Sequence, residues 1–215
     1  MPPHYFAGLD LGQQQDYSAL AVLEQTFAPD PAKQGVSVRH YACRHLERFP
    51  LGTPYPALVP RLRQLVSAAP LRGCTLAVDQ TGVGRAVVDV LRAANLAVRL
   101  LALTITSGHA VTGGTDGSSH VPKKELVGTL QVLLQSRRLQ VAPALPEART
   151  LEQELVNFRV KITAALHETF GAGREGQHDD LVLAVALAAW RGEREPTGGG
   201  LPYVLGTGVP LPRCY

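Results

Sequence analysis

The first part of the chain alternates between apolar and polar positions in a way that predicts three strands. Apolar segments cover residues 5–11 and 18–26, and the polar GQQQDY between them predicts a hairpin. Residues 36–49 alternate in part and predict a third strand, so we expect an antiparallel meander. Leucine and valine then recur at helical spacing over residues 57–69, which predicts the first helix.

The next part of the chain predicts a βαβ unit. Residues 74–79 and 96–103 are apolar runs, and residues 82–95 between them carry a valine and leucine stripe typical of one helix face. Because such a unit joins parallel strands, we expect the sheet to continue in parallel beyond the meander. Residues 104–121 are rich in glycine, serine and threonine and predict a long mobile loop.

Residues 122–191 predict three helices and two strands, and the last helix is apolar on every side. Pro122 is expected at the first position of a helix that runs to about Arg137. The pattern then predicts a short strand at 139–142, a helix at 147–157 and a strand near 159–166. The last helix, residues 178–191, has apolar residues around its whole circumference, which predicts burial.

Taken together, these elements predict an α/β fold with a central mixed five-stranded sheet flanked by helices. The first three strands are expected to be antiparallel and the others parallel. We expect one folded domain over residues 1–193. Residues 194–215 contain proline and glycine throughout without a regular pattern, and they are expected to form a tail.

Composition and charge add little to this picture. The 45% of hydrophobic and 18% of charged residues are typical of a globular domain and exclude a disordered chain. The formal net charge of +3 is too small to favour nucleic acid over other partners. Seventeen of the 21 cationic residues are arginine, which suits phosphate contacts but also follows from a GC-rich genome.

The cysteines and the hydropathy bear on the compartment. Cys43, Cys74 and Cys214 are too few and too scattered for a disulfide scaffold or a cysteine-based zinc site, which indicates a reducing compartment. The first residues do not resemble a signal peptide, and the longest apolar run, Leu181 to Trp190, is about half of the roughly 20 residues that a membrane span needs. We therefore expect a cytoplasmic protein with no membrane partner.

Four of the eight aspartates lie at apolar positions, which is unusual for carboxylates. Asp10 ends the first strand, Asp79 ends the strand at 74–79, and Asp179 and Asp180 open the last helix. Strand ends and a helix start can meet at one edge of an α/β layer, so we expect these side chains to converge. The alternative is that each is structural: Asp179 as a helix cap, Asp10 bracing a turn, and Asp79 holding nearby amides.

Converging carboxylates repel one another, and a divalent cation removes that repulsion. Ligation by oxygen alone is what Mg²⁺ or Mn²⁺ prefers, whereas the scarcity of cysteine and the spacing of histidine argue against zinc. Two such ions about 3.5 to 4 Å apart would activate a water and stabilise the leaving oxygen of a phosphodiester. The aspartates therefore indicate metal-dependent phosphodiester hydrolysis.

Five segments resemble, in this order, the nuclease domain of phage terminase large subunits. They are GLDLGQQQDYSALAVL, LAVDQTGVGRAVVDVL, VPKKELVGTLQVLLQSRRLQV, EQELVNF and HDDLVLAVALAAW, and the resemblance covers nearly all of residues 5–191. It implies an RNase H-like, specifically RuvC-like, fold. It also implies a two-metal endonuclease that cuts concatemeric double-stranded DNA during genome packaging.

The resemblance implies a role for each acidic residue. Asp10 matches the metal ligand on the first strand, and Asp79 matches the acidic residue that ends the fourth strand. Asp180 is the best match for the carboxylate of the last helix, and Asp179 beside it could supply the ligand instead. All four are therefore expected to be catalytic metal ligands.

The chain departs from the family at Leu183, where related nucleases often carry a further acidic residue. The missing acidic residue bears on whether a second metal is bound. Asp179 or His178 could supply the missing ligand instead. His178 is the histidine expected in the site, with a cap or surface group as the alternative.

Basic residues outside the acidic positions are expected to contact DNA. Lys123 and Lys124 lie in the first turn of a helix, where the helix dipole disfavours cations, and this placement favours a phosphate partner. With Arg137, Arg138 and the 104–121 loop they would form a rim that tracks duplex DNA without reading its sequence. A solvated basic helix is the alternative.

The expected partners follow from the resemblance. Terminase large subunits normally carry a packaging ATPase, but TGVG at residues 81–84 lacks the GK[ST] ending of a phosphate-binding loop. We therefore expect a nuclease domain alone, either excised or as a small prophage-type protein, with double-stranded DNA, the terminase ATPase domain, the small subunit and the portal protein as partners. A RuvC-like junction resolvase, an actin-like or sugar-kinase ATP-binding domain, and an inert DNA- or capsid-binding module remain as alternatives.

Overall fold

A computed structural model describes residues 3–12, 16–30, 33–82, 85–114, 118–165 and 178–196. For residues 159–165 it describes only the backbone. The strands in these ranges are β1 (His4–Asp10), β2 (Ala19–Pro29), β3 (Ser37–Arg48), β4 (Thr75–Asp79), β5 (Arg99–Thr106), β6 (Thr112–Gly113), β7 (Ser119–Pro122) and β8 (Leu139–Val141). The helices are α1 (Tyr55–Ser67), α2 (Arg85–Ala93), α3 (Lys123–Gln135), α4 (Ala148–Ala165) and α5 (Asp180–Glu193). None of these helices is long and apolar enough to span a membrane.

The strands form one mixed sheet in the order β6-β7-β5-β4-β1-β2-β3-β8. β1, β2 and β3 are the predicted antiparallel meander, and β4 and β5 continue the sheet in parallel beside β1. β7 and β8 add in parallel outside β5 and β3, while β6 pairs antiparallel with β7. The predicted α/β class and mixed sheet are confirmed, with an RNase H-like fold.

The predicted strand count of five is wrong, because the described residues alone form a sheet of eight strands. β8 lies where a short strand was expected, and it extends the sheet outside the meander. β6 and β7 lie within residues 104–121, which the sequence predicts as a loop. These two strands are two and four residues long, too short for an alternating pattern to reveal.

Two other element predictions are wrong in detail. The strand expected near 159–166 is instead the end of α4, which runs to Ala165. The β-branched residues there favour a strand only weakly. Pro122 ends β7 and precedes α3, with an extended backbone at φ −59° and ψ 135°, so the helix begins one residue later than expected. The predicted tail, residues 194–215, lies outside the described residues from 197 onward.

Helices cover both faces of the sheet. Alternation along β1 sends Phe6 into a core with α3, α4 and α5, while Ala7 and Leu9 enter a second core with α1 and α2. α5 contacts β1, β2, α3 and α4, so it is enclosed by the sheet on one side and by helices on the other. This position confirms the expected burial of the last helix, whose Trp190 is fully buried.

The contact between β1 and α5 is unusually close. A Cβ atom added at Gly8 would lie 2.0 Å from the carbonyl oxygen of Ala184 and 2.9 Å from the backbone nitrogen of Ala188. These are backbone atoms, so no side chain could move aside to make room. The absence of a side chain at Gly8 therefore sets how near α5 lies to the centre of the sheet.

We expect Gly8→Ala to destabilise the protein by about 1–3 kcal/mol or more, because α5 or β1 must shift to admit the methyl group. Urea unfolding monitored by circular dichroism measures this change. Gly128→Ala in α3 is the matched control, since a Cβ there would meet no described atom within 4 Å. Alanine also favours helix over glycine, so the control should be neutral or stabilised by up to about 1 kcal/mol. An unfolding free energy unchanged by Gly8→Ala would contradict the packing described.

Candidate metal centre

Two adjacent parallel strands bring the first two aspartates together. Leu9 of β1 pairs with Val78 of β4, so Asp10 and Asp79 are the next residues along the same register. Both end their strands at the same edge of the sheet, and each is only 7% exposed. The sequence prediction that these two side chains converge therefore agrees with the sheet topology.

The third carboxylate arrives at this edge on α5. From Ala184, which lies over Gly8, the helix reaches back to Asp180 over four residues, or about 6 Å. The strand advances from Gly8 to Asp10 over two residues, or about 7 Å. Asp180 therefore reaches the level of Asp10, and it is 4% exposed.

The pKa of Asp10 reflects its burial and the charge of its neighbours. Burial raises the pKa of this carboxyl well above its ordinary value, and the neighbouring carboxylates of Asp79, Asp180 and Asp179 raise it further. The ammonium group of Lys123 lowers it in part. The four predicted carboxylates thus lie within electrostatic range of one another, with one lysine among them.

Asp79 is held by a turn that follows β4. Burial raises its pKa, while hydrogen bonds from Thr81 lower it. The backbone N–H of Thr81 donates to Asp79 Oδ1 over 2.8 Å, and the Thr81 hydroxyl donates to the same oxygen. Thr81 Oγ1 in turn accepts from the backbone N–H of Ile105 at 2.7 Å, which ties the turn to β5. Asp79 thus holds a nearby amide, as the structural alternative for this residue predicted, and the contact fixes the orientation of the carboxylate.

Asp180 carries a buried oxygen without a hydrogen-bond partner. Burial raises the pKa of Asp180 to about 6, opposed chiefly by His178. His178 Nδ1 lies 3.7 Å from Asp180 Oδ2, and neither atom has a hydrogen-bond partner among the described residues. Buried polar atoms are normally paired, so an unpaired carboxylate oxygen suits a cation ligand. Asp16, His178 and Asp180 each offer a ligand atom within 4.8 Å of the others.

Sequence reasoning missed Asp16. It lies in the polar hairpin loop between β1 and β2 and is exposed, so no apolar neighbours distinguish it from a surface carboxylate. Its proximity to Asp180 follows only from the fold.

Asp179 faces Lys123 rather than its own helix. It occupies the position before α5, but its side chain makes no capping hydrogen bond within the described part of the chain. Asp179 Oδ2 instead lies 3.1 Å from Lys123 Nζ. The alternative of a simple helix cap therefore does not describe this residue, and Lys123 points towards the carboxylates.

Glu154 on α4 is a second residue that sequence reasoning missed. Its Oε2 accepts hydrogen bonds from the backbone N–H groups of Leu181 at 3.0 Å and Val182 at 3.2 Å. Burial raises its pKa to about 7, and Arg48 NH1 lies 3.3 Å from Oε1. The available signal was the placement of Glu154 between Leu151 and Phe158 on one buried helix face.

The residues of the predicted DNA rim lie near the two ends of α3, which is about 20 Å long. Lys124 lies beside Lys123 at the carboxylate end, is exposed, and has its Nζ 2.7 Å from His109 Nδ1. Arg137 and Arg138 follow the opposite end of the helix, and Arg138 is paired with Glu193 at 3.1 Å. A groove along α3, lined by Lys124, Gly128 and Arg138 among others, joins the two ends, so one continuous rim stays a prediction.

The fold and the site define a class before any comparison. Two carboxylates end neighbouring parallel strands, and a third comes from a buried helix. On a mixed sheet that begins with an antiparallel meander, this is the RNase H-like arrangement that the sequence resemblance implies. Leu183, at the position where related nucleases often carry a further acidic residue, is buried.

Comparisons with known proteins agree with this class. The chain is 29% identical over 188 residues to the terminase large subunit of Thermus phage G20c and 28% identical to that of Thermus virus P23-45. Each alignment covers 87% of this chain and 32% of the relative, so the chain spans about a third of the length of these relatives. No protein-family model matches the chain.

Solved structures give the same result. The large terminase nuclease from thermophilic phage G20c superposes with a TM-score of 0.50 at 25% identity, covering 86% of this chain and 81% of that chain. The zinc-bound form of that nuclease gives a TM-score of 0.50 at 24% identity, covering 86% and 80%. The sequence and fold similarities together support a terminase nuclease domain.

We expect Asp180→Asn to stabilise the metal-free protein at pH 7. The folded pKa of about 6 lies above the ordinary value of 3.8, so the wild type loses stability as pH rises from about 4 to 6. The neutral amide removes this loss, which is worth up to about 3 kcal/mol above pH 6 and disappears below pH 4. Urea unfolding with a chelator present at several pH values measures the difference.

Asp89→Asn is the matched control for that experiment. Asp89 is exposed on α2 and pairs with Arg92 at 3.2 Å, so its loss should change stability by less than about 1 kcal/mol. A stability difference for Asp180→Asn that grows as pH falls would contradict the electrostatic description of the site.

Proposed function

We propose that this chain is a metal-dependent endonuclease that hydrolyses phosphodiester bonds of double-stranded DNA, as in the cutting of concatemeric phage DNA during genome packaging. The observation that carries this proposal is the convergence of buried Asp10, Asp79 and Asp180 at one edge of the sheet. Similarity to the terminase large subunit of Thermus phage G20c supports the same activity.

The residues present fit divalent cations. Oxygen donors dominate the site, and the buried Asp180 Oδ2 has no hydrogen-bond partner in the described part of the chain. Such oxygen donors suit Mg²⁺ or Mn²⁺, and His178 would add a nitrogen donor. The zinc-bound G20c nuclease and the candidate site also suggest divalent metal use. We infer that Asp10, Asp79, Asp180 and Asp179 hold two Mg²⁺ or Mn²⁺ ions, with His178 beside them.

Bound divalent cations would lower the pKa of an attacking water and stabilise the leaving oxygen. The protein contributes fixed positions for the ligands. Thr81 holds Asp79, the strand register places Asp10 beside it, and α5 delivers Asp180. The catalytic residues in this proposal are Asp10, Asp79, Asp179, Asp180 and His178.

Lys123 and Lys124 are proposed to contact the DNA backbone beside the metal centre. Lys123 lowers the pKa of both Asp10 and Asp79, so its charge acts at the site itself. When cations neutralise the carboxylates, the Lys123 ammonium no longer has to offset their charge and can donate to a phosphate. Arg138 is already paired with Glu193, so we assign it no direct role in DNA binding.

The partners proposed for this chain are those of a packaging machine: double-stranded DNA, a terminase ATPase domain, the small subunit and the portal protein. The similarity to large terminase nucleases does not favour a junction resolvase, an ATP-binding domain of the actin or sugar-kinase type, or an inert binding module.

We expect supercoiled plasmid to be nicked or linearised with Mg²⁺ or Mn²⁺, and Asp10→Asn, Asp79→Asn and Asp180→Asn each to abolish cleavage. Each change removes one negative ligand from the cation site. Agarose gel electrophoresis measures the product, with circular dichroism confirming the fold. Asp89→Asn, on the surface of α2, should cleave like the wild type.

Undiminished cleavage by the three variants, or none by the wild type with either metal, would count against the proposed activity. Preference for a four-way junction over linear duplex would instead support a junction resolvase.

Lys123→Met and Lys124→Met should weaken duplex binding and reduce its dependence on salt concentration by about one unit of log–log slope each, because each removes a phosphate contact. Fluorescence anisotropy of a labelled duplex, in an Asp79→Asn background that prevents cleavage, measures both quantities. Arg138→Met is the comparison and should lower stability without changing the salt slope. The reverse pattern would place the DNA at the other end of α3.

A further inference from the structure

The start of α5 is held by a side chain from another helix. The first amides of any α-helix lack acceptors within the helix and need partners elsewhere. In α5, Glu154 of α4 supplies the acceptor, because its Oε2 receives the N–H groups of Leu181 at 3.0 Å and Val182 at 3.2 Å. These two residues directly follow Asp180, so the contact fixes the backbone that carries this carboxylate.

This arrangement determines what Asp179 can do. A residue at its position usually caps the helix with its own side chain. Here the Asp179 carboxylate pairs with Lys123, and its backbone oxygen accepts from Leu183 at 2.9 Å. Because Glu154 takes over the capping, both neighbouring aspartates are available to the carboxylate cluster.

The other oxygen of Glu154 is linked to the site through a second series of contacts. Oε1 lies 3.3 Å from NH1 of Arg48, and the Arg48 guanidinium lies 4.1 Å from the centre of the Tyr17 ring. Tyr17 contacts His178 in an edge-to-face arrangement with ring centres 4.9 Å apart. His178 Nδ1 is the atom 3.7 Å from Asp180 Oδ2. One buried carboxylate therefore connects to both sides of Asp180.

We propose that Glu154 is a positioning residue that sets Asp180 and His178 for cation binding without itself contacting the cation. This inference rests on the proposed function, since it assigns Glu154 a task in that same site. A buried carboxylate bonded to two amides and one arginine holds a defined geometry, and residues that orient metal ligands typically change metal affinity when substituted.

The same helix offers a control at its opposite end. Glu193, the last residue of α5, accepts a hydrogen bond from the Tyr41 hydroxyl at 2.9 Å and pairs with Arg138 at 3.1 Å. Glu154 is buried and Glu193 is partly buried, and each side chain holds one end of α5 and pairs with one arginine. Glu193 lies a whole helix length from Asp180, so it tests loss of an anchor without loss of positioning.

The test is Mn²⁺ binding by isothermal titration calorimetry, with Mn²⁺ as the only ligand, well below the unfolding temperature of each variant. Glu154→Ala should raise the Mn²⁺ dissociation constant about tenfold or more. Glu154→Gln retains an oxygen acceptor for the two amides and should recover part of that loss. Glu193→Gln should lower the unfolding temperature but leave the Mn²⁺ dissociation constant within about twofold of wild type, because no ligand is displaced.

Two results would overturn the inference: wild-type Mn²⁺ affinity in folded Glu154→Ala, or an equal loss of affinity in Glu193→Gln. If Glu154→Ala does not fold, Glu154→Gln and Arg48→Met decide, since Arg48→Met removes the arginine that links Glu154 to Tyr17. Unchanged affinity in both would equally overturn the inference. Absence of Mn²⁺ binding by the wild type would instead remove the proposed function.

Discussion

Repulsion between carboxylates buried at one edge of a sheet is the constraint on which this structure depends. Asp10, Asp79 and Asp180 are each almost inaccessible to water, and their mutual charge works against folding. Only part of this cost is offset locally, by Lys123 and by the turn at Thr81. Such a cluster favours cation binding, because a bound cation would replace the repulsion between the carboxylates with attraction to a shared positive charge.

The geometry of this cluster is imposed by backbone packing as much as by the carboxylates themselves. The pairing of β1 with β4 sets two of the positions, and the close approach of α5 to Gly8 sets the third. α5 is enclosed on all sides and anchored at both ends, by Glu154 at its start and by the Glu193 contacts at its end. The site is therefore a consequence of a rigid core, to which the described loop residues Asp16, Tyr17, His178 and Asp179 and the turn at Thr81 are added.

Much of this could be predicted from the sequence where local pattern and tertiary role coincide. Asp10 and Asp79 stand out because each ends an apolar strand, and α5 because apolar residues surround it. Asp16 could not be found in this way, since a carboxylate in a polar loop is usually solvated, and the signal for Glu154 was only its place among apolar residues on one helix face. The pairing of Arg138 with Glu193 could not be predicted either, because α3 and α5 come together only in the fold.

The order of the ligands along the chain bears on biosynthesis. Asp10 and Asp79 leave the ribosome about a hundred residues or more before α5. α5 lies at the centre of one core and carries Asp180. Neither that core nor the full ligand set can form until this segment has left the ribosome. Under the proposed function, an unfinished chain would be unable to cut the genome it is made to process.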